Sequence, residues 1–104
     1  MVKRKILQKL DIIKELKTVY DPEMPSINVY DLGLIYKIDI NESGDVAITH
    51  TLTSMFCPAG DMISGNIRKA AERVVSGKVI VSLTHTPPFS KEMMSEEARM
   101  ILNI

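Results

Sequence analysis

In Thr51-Leu52-Thr53-Ser54-Met55-Phe56-Cys57-Pro58 an alternating strand pattern runs into a turn, the one cysteine of the chain and the start of a helix. Pro58 suits the first position of a helix, and residues 61–75 carry a helical apolar pattern, so Cys57 is placed at a helix N-terminus. Unpaired backbone N–H groups and the positive end of the helix dipole favour an anion there, and a thiol so placed ionises more readily than a free one. Thiolates are nucleophiles and metal ligands. A lone cysteine is as often a buried, inert packing residue, and position alone does not choose between the two.

The flanking pattern gives the architecture. Upstream, Val46, Ile48, His50 and Leu52 alternate with Ala47, Thr49, Thr51 and Thr53, and before the turn Asn41-Glu42-Ser43-Gly44 the residues Leu34, Tyr36, Ile38 and Ile40 alternate with Ile35, Lys37 and Asp39. These are two strands of a hairpin. Downstream, Met62, Ile63, Ile67, Ala70 and Val74 mark the inner face of a helix with Gly77 as its cap, and Val79, Val81 and Leu83 mark a third strand. At the start of the chain Ile6, Leu10, Ile13 and Leu16 define a first helix that ends near Tyr20, because Asp21 precedes Pro22. Asp21-Pro22-Glu23-Met24-Pro25 reads as a rigid turn, and in Asp31-Leu32-Gly33 the glycine supplies an unusual backbone conformation. Pro87 and Pro88 end the ladder, and Ser95 caps a closing helix. The expected fold is α+β: helix, hairpin, helix, strand, helix, with a small three-stranded mixed sheet and helices packed on one face.

That order constrains geometry. A strand, helix and strand make a right-handed crossover with the two strands parallel, so the third strand ends at the same sheet edge as the second. The first strand begins there. Asp31 to Gly33, Thr53 to Pro58 and His85 to Phe89 therefore converge, and a cleft at that edge is expected. Each residue also has a plain structural role available. Asp21 and Glu23 suit a turn or a cap, Asp31 before a short bend is a common turn residue, and Thr51 and Thr53 are ordinary strand formers. His50 and His85 share the parity of the apolar positions; of the two, His85 near the strand end is the better ligand. The methionines near the helices are read as core packing.

At 104 residues the chain is read as one domain spanning 1–104. Hydrophobic residues at 45% and charged residues at 25% argue against disorder or a membrane span. Thirteen basic residues balance thirteen acidic ones, so a role resting on phosphate neutralisation, and with it nucleic-acid binding, is not expected. The basic start Met1 to Lys5 leads into an amphipathic helix rather than a secretory signal, and one cysteine makes no internal disulfide, which together favour the cytoplasm.

With these residues in view the chain resembles the SufT/PaaD-like family of iron–sulfur cluster assembly domains, which also occur within eukaryotic cytosolic cluster-targeting factors. The resemblance is carried by Asp21-Pro22-Glu23, by Val29-Tyr30-Asp31-Leu32-Gly33-Leu34-Ile35-Tyr36, by Thr51-Leu52-Thr53 through Cys57-Pro58, and by Pro87-Pro88-Phe89 with Met94-Ser95-Glu96-Glu97-Ala98-Arg99. It implies a pocket in which Cys57 is the functional thiol, lined by Asp21, Glu23, Asp31, Gly33, Thr51, Thr53, Ser54, Pro58 and His85. Two departures stand out: Phe89 where the family often has tryptophan, and a bulkier Ser54-Met55-Phe56 before the cysteine. The cysteine-rich tail of the phenylacetate-pathway members is absent, so a role in that oxygenase system is not expected.

The resemblance implies a non-enzymatic factor that builds iron–sulfur clusters or delivers them to recipient apo-proteins. Its Cys57 would transiently bind iron or a cluster, or exchange with a partner's thiols. A cluster takes about four protein ligands and the chain has one cysteine. Tight binding therefore needs a homodimer, His85 or a carboxylate, or an external thiol, and a labile cluster or iron is the expectation, with none held tightly by the isolated chain. Two alternatives differ in class. An adaptor would use Phe56, Phe89 and the prolines as docking residues around a structural cysteine. A thiol enzyme would need His85 or Asp31 to assist Cys57, and no base-plus-orienter set is evident.

Overall fold

Ile12 and Leu16, four residues apart, are fully buried and set the inner face of the first helix, while Leu10 is 55% exposed. The inner stripe is thus rotated from the spacing read off Ile6, Leu10 and Ile13, since Ile12 points inward and Ile13 only borders the core. The computed structural model describes residues 2–22, 24–53 and 60–103, without the side chains of 2–6 and 24. Its elements in order are α1 (Val2–Leu16), β1 (Tyr20–Asp21), β2 (Met24–Asn28), β3 (Ile35–Ile40), β4 (Val46–His50), α2 (Gly60–Glu72), β5 (Val79–Leu83), a 3-10 turn (Lys91–Met93) and α3 (Glu96–Leu102).

The α+β architecture agrees with the sequence pattern. β3, β4 and β5 form one sheet in that order, β3 antiparallel and β5 parallel to β4. Ile38, Val46, Ile48 and His50 point to the face covered by α1 and α2, whereas Lys37, Asp39, Ala47, Ile80 and Ser82 lie on the open face. A bulge interrupts the register between Ile35 and Lys37.

Several local expectations are corrected. α1 ends at Leu16, short of Tyr20, because the amides of Thr18 and Val19 fold back onto Glu15 and Leu16. The extended backbone imposed ahead of Pro22 then reaches back to Tyr20, and β1 pairs antiparallel with β2 in a second, two-stranded sheet; the sequence reads 27–30 as extended but 21–25 only as a turn, without this pairing. The Val29 amide donates to the Val19 carbonyl at 2.8 Å and the Leu34 amide to the Val29 carbonyl at 3.1 Å, which stitches this hairpin to the start of β3. In α2, Met62 is 53% exposed and Val74 37%, and Ala71 and Val75 are buried in their place. Gly77 is not a left-handed cap, as only Gly33 and Gly44 among the glycines have positive φ. Its smallness serves close approach: a Cβ there would meet the Gly44 carbonyl and the Asp45 carboxylate, which itself accepts the Lys78 amide at 2.8 Å.

Candidate functional site

The carboxyl end of β4 is the centre to which the other segments come. Past His50 the chain leaves the β4 ladder, yet Thr51 stays tied down, its amide donating to the Leu34 carbonyl at 2.8 Å. Thr84, just past β5, donates to the His50 carbonyl at 2.9 Å. The start of β3, the end of β4 and the end of β5 therefore meet at one sheet edge, as the crossover argument requires.

Asp21, at the end of β1, is fully buried, and the Thr53 hydroxyl donates to its Oδ2 at 3.3 Å. Two expected pocket residues from distant parts of the chain are thus in contact. Thr51 is also fully buried, and its Oγ1 has no hydrogen-bond partner among the described residues. Burying a hydroxyl unpaired costs free energy, so an orphan of this kind marks either strain or a group still to be engaged. Cys57, Glu23, Ser54 and Pro58, with Phe56, lie outside the described residues.

Asp31 is held differently. Asn28 Nδ2 donates to its carboxylate at 2.8 Å, its own amide donates to Asn28 Oδ1 at 2.9 Å, and its carbonyl accepts the Ser95 amide at 2.8 Å. The turn reading accounts for it, with Asn28 as the reciprocal partner that the sequence did not single out. Gly33 has φ +84°, and a Cβ on it would collide with the Met93 carbonyl. The expected unusual backbone is present, and it lets the C-terminal segment press onto the turn. Tyr36 reinforces this contact by donating its hydroxyl to the Pro87 carbonyl at 2.7 Å, with Met93 Sδ at 3.4 Å. His85 is half-buried, two residues beyond the end of β5.

His50 is a packed core residue. Its Nδ1–H donates to the Thr51 carbonyl at 3.1 Å and its Nε2 accepts from the Ser64 hydroxyl at 2.7 Å, which joins β4 to α2. Burial holds its pKa below the ordinary 6.5, opposed in part by the bond to Thr51. A neutral ring with both nitrogens engaged positions the backbone next to Thr51 and is unavailable as a ligand. Among the described residues no three histidine, aspartate or glutamate side chains gather as a metal site. Phe89, a docking residue in the adaptor alternative, packs against the core. No helix among the described residues is long and apolar enough to cross a membrane. A concavity along α3, lined by Glu96, Arg99, Met100 and Asn103, shares no residue with the β4 edge.

Comparison with known proteins bears on the fold and the family. Residues 9–83 match the family model described as iron–sulfur cluster assembly protein. A protein of Porphyromonas gingivalis named Fe-S protein maturation auxiliary factor is 50% identical over 93 residues, covering 88% of each chain. A Bacillus subtilis protein named Fe-S protein maturation auxiliary factor YitW is 36% identical over 97 residues, 92% of this chain and 94% of the other. The crystal structure of a domain of unknown function from Bacillus anthracis superposes with a TM-score of 0.85 at 31% identity, covering 94% and 93% of the two chains.

Proposed function

The chain belongs to the iron–sulfur cluster assembly protein family, and on that premise we propose that it is a non-enzymatic maturation factor acting in the cytoplasm. Its cargo is iron or a labile iron–sulfur cluster, received from assembly proteins and passed to recipient apo-proteins. Cys57 supplies the thiolate that iron–sulfur clusters require. One thiolate per chain cannot saturate a cluster, so the cargo is held loosely, and loose holding suits hand-over. His85 or an external thiol completes the ligand set during the transient state.

The observation that supports this reading is the buried polar group at the end of β4, directly ahead in sequence of the segment that carries Cys57. Thr51, whose hydroxyl has no partner among the described residues, and Thr53, which brings in the Asp21 carboxylate from β1, are among the last described residues before it. A purely structural core would bury apolar side chains at these positions. Anaerobic reconstitution with iron and sulfide tests the proposal. The native protein is expected to develop charge-transfer absorbance that disappears on gel filtration against a chelator, and Cys57→Ser to develop little or none. Equal absorbance from both proteins would remove Cys57 as a ligand.

A further inference from the structure

The two edges of the β3–β4–β5 sheet are built differently. β3 has the devices that discourage strand addition, a bulge between Ile35 and Lys37 and a charged pair, Lys37 and Asp39, 3.3 Å apart on the open face. β5 has none of them. Its sequence Val79-Ile80-Val81-Ser82-Leu83 contains no charge, proline or bulge, and Ile80 and Leu83 are 60% and 44% exposed.

The phase of its hydrogen bonding is fixed at both ends. The Val46 amide donates to the Lys78 carbonyl and the Thr84 amide donates to the His50 carbonyl. In a parallel ladder the residues facing the neighbour alternate, so Lys78, Ile80, Ser82 and Thr84 turn their backbone groups to β4. The N–H and C=O groups of Val79, Val81 and Leu83 therefore point away from the sheet, and among the described residues no other element bonds to them.

We infer that β5 pairs with β5 of a second copy, antiparallel about a two-fold axis through Val81. This register leaves no outward group unused, because Val81 faces its own counterpart and Val79 faces Leu83 in hydrogen-bonded pairs. Ile80 comes opposite Ser82 on the open face, and Lys78 comes opposite Thr84, so no like charges meet. A register centred on Ile80 or Ser82 would aim bonding groups at each other only by turning them away from β4. The edge is short, about 17 Å for five residues, so the dimer is a reversible one of the small-interface class. The paired strands run in opposite directions, so the β4 ends leading to Cys57 lie at opposite ends of the joined sheet. A cluster shared between two chains is not made in this dimer, and the inference does not depend on the cargo chemistry.

Sedimentation velocity across a concentration series, in reducing buffer to exclude disulfides through Cys57, tests it. The native chain is expected to shift from monomer to dimer as concentration rises. Ile80→Lys with Ser82→Lys places introduced lysines opposite each other twice and should weaken association at least tenfold. Ile80→Lys with Ser82→Glu places opposite charges there instead and should restore it. Circular dichroism of both variants checks folding, which two exposed positions should not disturb. A native chain that stays monomeric into the millimolar range, or two variants that associate alike, would overturn the self-pairing. So would amide shifts confined to β5 on adding an extended peptide to a chain that never self-associates, since the edge would then serve a foreign strand.

Discussion

At the scale of single residues the most informative atom is Thr51 Oγ1, buried without a partner among the described residues, one residue after a histidine whose two nitrogens are both satisfied. Replacing that hydroxyl by a methyl of the same shape removes an unpaired polar group, so Thr51→Val should raise stability by about 1 kcal/mol. A urea titration reads this as a higher midpoint at unchanged slope. If the hydroxyl serves the cargo, cluster reconstitution falls in the same variant, and stability and function separate. The sequence placed His50 in the core correctly because strand parity reaches that far. The reading of Thr51 as an ordinary strand former, opposite in parity to His50, fails because β4 ends at His50 and the chain beyond it no longer alternates, Thr51 and Leu52 both being buried.

Among the elements, the turns preceding β3 and β4 offer a matched comparison. Gly33 and Gly44 have φ of +84° and +86°, but a Cβ on Gly44 would meet nothing within 4 Å, whereas one on Gly33 runs into Met93. Gly44→Ala should therefore cost only the left-handed conformation, about 1 kcal/mol, and Gly33→Ala clearly more. Thermal melts of the two variants give the difference directly. A similar loss in both would mean that the C-terminal segment yields easily. The glycine of the Asp31 turn was legible, as were the β3–β4 hairpin, the crossover through α2 and the Ser95 cap, whose hydroxyl accepts the Ala98 amide at 3.0 Å. The β1–β2 ladder was not. A two-residue strand is too short to show a period, and the prolines at 22 and 25 gave a turn reading that hid the pairing. The helix faces were legible in part: Leu16, Ile63, Ile67 and Ala70 are buried as their spacing implies, but with apolar residues at 10, 12, 13 and 16 several stripes fit α1, and only its packing against α2 and β3 selects among them.

For the molecule as a whole, acid should weaken the fold through His50. Burial lowers its pKa from the ordinary 6.5 in the native state, so just below that value the unfolded chain takes up a proton that the folded chain resists. Stability from this group is complete above about pH 6.5 and declines as pH falls from there toward the lowered native value. Urea midpoints measured from about pH 7.5 down to about pH 5 should show a steeper decline for the native protein than for His50→Gln, which cannot titrate. Parallel curves would assign the acid sensitivity to carboxylates. Sequence reasoning located the shared edge of the sheet because chain order and handedness alone determine it. It could not rank the residues there, since Asp21 and Asp31 look alike in a string and differ only in what surrounds them. The tail also has a practical consequence. Met94 and Ala98 are buried, and Ser95 is bonded to the carbonyl of Asp31, although the stretch that matches the family model stops at residue 83. A fusion or a minimal fragment trimmed to the matched borders would lack its last fastening, leaving part of the core without Met94 and Ala98 and the Asp31 turn without the bond from Ser95.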